Sequence, residues 1–166
     1  MEPIPVDHPL RKLFAGLTEH AFMAELGVTD TKLIDYVTEL LARFVHSDGV
    51  FPLRDVHQQP IRTLASMAAA AEKMDLRGEP RREVFRHLGD VALFWTGVFP
   101  ESLAKGRRND VLVDYCETGK RSYYLASTYS DTPKQQEEAP ILRRLSVDFE
   151  TCMEGLRKIR VQWQQQ

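Results

Sequence analysis

The groups best suited to chemistry lie in one stretch, Arg81-Arg82-Glu83-Val84-Phe85-Arg86-His87-Leu88-Gly89-Asp90-Val91-Ala92-Leu93-Phe94-Trp95. On a helix, Glu83 lies one turn before His87 and Asp90 one turn after, so both carboxylates reach the imidazole. Arg86 is spaced to pair with Asp90 at i,i+4. Carboxylates around a part-buried imidazole orient it and favour its protonated form, an arrangement suited to acid–base work. The same arrangement is ordinary wiring on a charged helix, and the structural reading takes precedence. Val84, Leu88, Val91, Trp95 and Val98 form the apolar stripe, with His87 on its flank and the arginines at a polar rim. Ion pairs at such a rim contribute little, so loss of Arg82 or Arg86 should hardly be felt in the fold.

A second helix starts at Asn109. If the two form an antiparallel hairpin, Arg82, Arg86 and His87 face Glu117, Lys120, Arg121, Tyr123 and Tyr124. Guanidinium forks, an imidazole and phenols at one rim suit a phosphate or carboxylate ligand. The ligand-binding candidates are thus Arg82, Arg86, His87, Asp90, Lys120, Arg121 and Tyr124. The competing reading is a salt-bridge network in which Glu117 and Asp90 neutralise the arginines.

Other chemistries find less support. The histidines (His8, His20, His46, His57 and His87) lack metal-ligand spacing, so no metal and no cofactor are expected. His20 reads as a partly buried core histidine. Cys116 and Cys152 fall on apolar helical faces and read as reduced core residues. No serine sits in a nucleophile elbow, and no glycine-rich loop is built to cradle phosphate. Phe94, Trp95 and Phe99 read as core.

The elements that carry these residues are helical throughout. Leu10, Leu13, Phe14, Leu17, Ala21 and Ala24 keep helical spacing, with Asp7 as N-cap and Gly27 as the stop. Thr29 or Asp30 caps a second helix along Leu33, Val37, Leu40 and Phe44, which Asp48-Gly49 ends. Residues 50–56 form an extended connector, and a helix runs from Pro60 to about Met74 with a close-packing run at residues 68–71. Pro100 to Lys105 adds one turn, closed by Gly106. The Asn109 helix continues to about Ser127 with small inner residues Gly119, Ser122 and Ala126. Residues 128–139 read as a loop. From Pro140, Leu142, Leu145, Phe149, Cys152, Leu156, Ile159 and Trp163 make an unbroken heptad seam within one helix. It packs inside its own bundle or against a second copy of the chain. The expected fold is a single all-α domain over residues 1–166, a bundle of about six helices with a short extended or disordered segment at 1–7.

With 22 Lys and Arg against 24 Asp and Glu, the net charge of −2 gives no basic field for nucleic acid. The start lacks a signal-peptide pattern and no apolar run spans a bilayer, so a cytoplasmic protein is expected, without membrane partners.

Two resemblances touch the chain. The segments Gly89 to Glu101 and Cys116 to Ser127 look like parts of unannotated bacterial hypothetical proteins, which implies a bacterial source and carries no activity. The Arg-x4-His spacing of Arg82 and His87 resembles that of HEPN-type ribonucleases, which are all-helical and usually dimeric. That likeness implies His87 as the acid–base group and Arg82 as the phosphate stabiliser. Here the pair lies on a middle helix, and Glu83 follows Arg82. The preferred expectation is a non-enzymatic helical bundle acting through protein contacts, including self-association. A small anion-binding module and a HEPN-like ribonuclease are the alternatives.

Overall fold

Apolar and aromatic residues crowd every side of the helix after His87, so its second half has to be enclosed. In the computed structural model, which describes residues 8–46, 64, 68, 69, 73, 77–104 and 110–165, all of residues 88–98 are buried. The all-α bundle is built around that helix. Its elements are α1 (Pro9–Glu19, continuing as a π-helical turn His20–Glu25), α2 (Thr31–His46), α3 (Glu79–Val98), α4 (Pro100–Ala104), α5 (Asp110–Ser127), α6 (Pro133–Val147) and α7 (Phe149–Gln164). The features expected at residues 1–7, 47–56 and 106–109 lie outside the described residues, as does most of the helix expected after Pro60. Leu64 from that region is buried in the core. Among the described residues no helix is long and apolar enough to cross a membrane.

Helix ends follow local chemistry. His8 caps α1 through Nδ1, which accepts from the Leu10 amide at 3.1 Å. Asp30 caps α2, accepting from the amides of Lys32 and Leu33. Gly27 ends the first helix at φ 70°, but the π turn before it changes which residues face inward. Phe22 is fully buried while Ala24 and His20 are exposed, against the expectation for both.

The largest departure is at α6. Residues 133–139, expected as loop, are its first turns. Thr132 accepts from the Gln135 amide, while the Gln135 side chain accepts from the Thr132 amide, a capping box with Pro133 at the first helical position. Pro140 therefore sits inside α6, on an exposed face where water can satisfy the carbonyl it leaves unpaired. The C-terminal seam is also broken, at Asp148, where the backbone leaves helical geometry between α6 and α7. Leu142, Leu145, Phe149, Cys152, Leu156 and Ile159 are all buried within this one chain, so the seam is an intramolecular core.

Close helix approach rests on glycines. α3 and α5 are antiparallel, with Gly89 under the Tyr123 ring and Gly119 against Ala92 and Phe149. At Gly97 a Cβ would lie 2.6 Å from Leu156 Cβ, so α7 crosses α3 where a side chain is missing. Gly97→Ala should therefore destabilise the protein by about 1–3 kcal/mol through overpacking. Gly16, with nothing near its absent Cβ, should do the reverse, and Gly16→Ala should stabilise by about 0.5–1 kcal/mol. Urea denaturation of the two variants checks this, and shifts of equal sign would contradict the packing.

Candidate functional site

Two charged residues of α3 lie where charge is expensive. The first is Arg82, whose side chain has no exposed surface. Its Nη1 donates to Glu79 at 2.9 Å and Glu83 at 3.0 Å, and its Nη2 meets Glu138 of α6. Gln135 donates to the other oxygen of Glu79 at 2.7 Å, so the capping residue of α6 is tied to the start of α3. The rim position expected for Arg82 is thus corrected. It lies two turns before Gly89 on the face turned to α5, and beyond the end of α5 that face meets α6.

The second is Asp90, 1% exposed. Its Oδ1 accepts from Tyr36 at 2.7 Å and Tyr123 at 2.6 Å, and its Oδ2 from Arg43 at 2.8 Å. One carboxylate thereby joins α2, α3 and α5. Burial, and then the charge of Asp90, push both tyrosines well above their ordinary pKa, so they remain proton donors. Burial alone would lower Arg43, but its bond to Asp90 more than restores the charge, and its pKa is raised.

Between α2 and α3 lies a cleft of about 430 Å³ lined by Arg43, Phe44, Glu83, Val84, Arg86, His87, Leu88 and Asp90. Arg86 pairs with Glu83 at 2.5 Å, not with Asp90, which Arg43 already holds. Its Nε is buried and has no hydrogen-bond partner among the described residues. Burial raises Glu83, but the bond and charge of Arg86 outweigh it and hold the carboxyl below its ordinary value. His87 lies 6.2 Å from Phe44, ring to ring, with solvent on its outer side. Its pKa is lowered, first by desolvation, with Arg43 and Arg86 opposing the help that Asp90 and Glu83 give to the charged form. The expectation of a favoured imidazolium is overturned first by desolvation, to which two guanidiniums sharing the site add.

Of the seven ligand-binding candidates, Arg86, His87 and Asp90 line this cleft, whereas Arg82 is sealed behind it. Lys120, Arg121 and Tyr124 do not join them. Lys120 pairs with Glu150, Tyr124 stacks under Arg143 at 4.9 Å, and Arg121 is exposed. The hairpin itself forms, but His87 and Arg86 turn toward α2. Arg43, Phe44 and Tyr36 were missed because a helix-by-helix reading gives no crossing angle between α2 and α3. Gln135 had a visible signal, the Thr132-x-x-Gln135 capping pattern. Among the described residues, no group of three His, Cys, Asp or Glu side chains is arranged to hold a metal ion. No protein-family model, curated protein or solved structure matches the chain.

Removing Arg82 would leave three carboxylates facing one another around a vacated space. Arg82→Ala should cost about 2–4 kcal/mol, below the limit for a fully enclosed pair because the carboxylates keep some water. A loss under about 0.5 kcal/mol in urea unfolding would return Arg82 to the surface.

The pH response of stability has a definite sign. His87 takes a proton more readily unfolded than folded, so stability falls as pH drops from above its ordinary value near 6.5, and the loss stops below its folded value. Glu83 acts lower, its contribution being present above the ordinary carboxylate range and lost as pH falls through its folded value. The melting temperature of His87→Asn should therefore fall less than wild type on going from weakly alkaline to weakly acidic buffer. Parallel curves would contradict the shift at His87.

Proposed function

We propose that the protein is a non-enzymatic binding module whose α2–α3 cleft holds a small ligand through an anionic group. One observation carries this reading: an apolar lining that includes Phe44 and Val84 beside the part-exposed guanidinium of Arg86. The volume lies in the range of small-molecule sites.

Three further observations favour this reading over the others. Arg82 is enclosed by three carboxylates and cannot reach an RNA phosphate, which removes one half of the ribonuclease pair. The heptad seam that motivated self-association is consumed by the chain's own core. Neither cysteine is an activated nucleophile, since burial raises both thiols, Cys152 to about 12.

Arg86→Ala should weaken anion binding about tenfold or more, the range for losing a charge-assisted hydrogen bond. Arg121→Ala, outside the cleft, should leave it unchanged. Calorimetric titration with small aromatic carboxylates and phosphates checks both variants. Absence of binding by every such anion at millimolar concentration would refute the reading.

A further inference from the structure

The charges around the cleft indicate which anion it takes, an inference that rests on the binding function proposed above. Glu83 gives one oxygen to Arg86 at 2.5 Å and the other to Arg82 at 3.0 Å. Arg82 is itself buried and held by Glu79 and Glu138, so Glu83 is anchored from behind. Asp90 is fixed by Tyr36, Tyr123 and Arg43. Two immobilised carboxylates therefore border the cleft, and each already engages one of its two guanidiniums. With His87 neutral, the lining carries no surplus positive charge. A guest with one negative charge is offset when His87 takes up a proton. A guest with two leaves one charge uncompensated beside Glu83 and Asp90.

We propose that the cleft selects an apolar monocarboxylic acid over a phosphate monoester of similar shape, with the carboxylate on the part-exposed Arg86 guanidinium, the apolar body on Phe44 and Val84, and Glu83 as the residue that excludes dianions. Among the described residues, the groups facing His87 are Glu83, Arg86 and Asp90 on its own helix and Arg43, with Phe44, on α2. Binding a carboxylate draws a proton onto His87, so affinity falls as pH is raised past neutrality. Glu83 acts by repulsion and makes no bond to the guest, which gives selectivity through an unfavourable pairing with the wrong ligand.

The test is titration of the full chain at neutral pH with phenylacetate, phenyl phosphate and neutral phenylacetamide. Phenylacetate should bind, phenyl phosphate about tenfold more weakly or worse, and phenylacetamide not measurably. Glu83→Gln, with folding verified by its melting transition, should close the gap between the two anions to within about threefold. If Glu83→Gln does not fold, the wild-type ratio alone decides the ligand class. Calorimetry in two buffers of different ionisation enthalpy should show proton uptake with phenylacetate that His87→Asn abolishes. Phenyl phosphate binding as tightly as phenylacetate would overturn the carboxylate assignment and leave the anion site standing. An unchanged ratio in folded Glu83→Gln would overturn the role of Glu83, and binding without proton uptake that of His87. If neither anion binds, the binding function falls as well.

Discussion

A carboxylate inside a helical bundle has to be met by donors, and the carboxylate of Asp90 dictates much of what surrounds it. Its desolvation is offset only if several hydrogen bonds converge on two oxygens. Tyr36 and Arg43 come from one face of α2, two turns apart, and Tyr123 comes from α5, so the crossing of three helices is fixed by a single acceptor pair. Aliphatic packing alone tolerates sliding and repacking, while a buried polar junction of this kind has one satisfactory geometry.

Close approach makes that junction reachable. Gly89, adjacent in sequence to Asp90, admits the Tyr123 ring directly against the backbone of α3. A side chain there would push α5 outward and draw the phenol off the carboxylate. Packing and polar chemistry are therefore not separable contributions at this point. The missing Cβ of one residue sets the hydrogen bond of the next.

Much of this was legible in sequence. The 3.6-residue periodicity identifies the helices because each buries one stripe, and the crowded second half of α3 announced its own enclosure. Gly119, Ser122 and Ala126 were recognisable as an inner stripe for the same reason, and all are buried. Three kinds of information were not legible. A π turn alters the facing of Phe22 without any change in composition. The polar start of α6 looks like a loop unless the capping pair Thr132 and Gln135 is weighed above residue polarity. Most consequential was Arg82, whose neighbours in sequence suggest a rim but whose position beyond the end of α5 places it beneath α6. Charge near charge was visible in the sequence. Which face each charge turned toward was set by tertiary packing.

Glu83 belongs to two neighbourhoods at once, with one oxygen in the Arg82 cluster and the other on the cleft. Thermodynamic reciprocity then applies between them. Whatever shifts the carboxylate toward Arg82 loosens Arg86, and whatever recruits Arg86 tightens the junction of α3 with α6 by the same free energy. The α6 residues Gln135 and Glu138 are thus linked to the cleft through two guanidiniums and one shared carboxylate, with no displacement of backbone required. A substitution at the start of α6 would accordingly be felt in the electrostatics of a surface it does not touch.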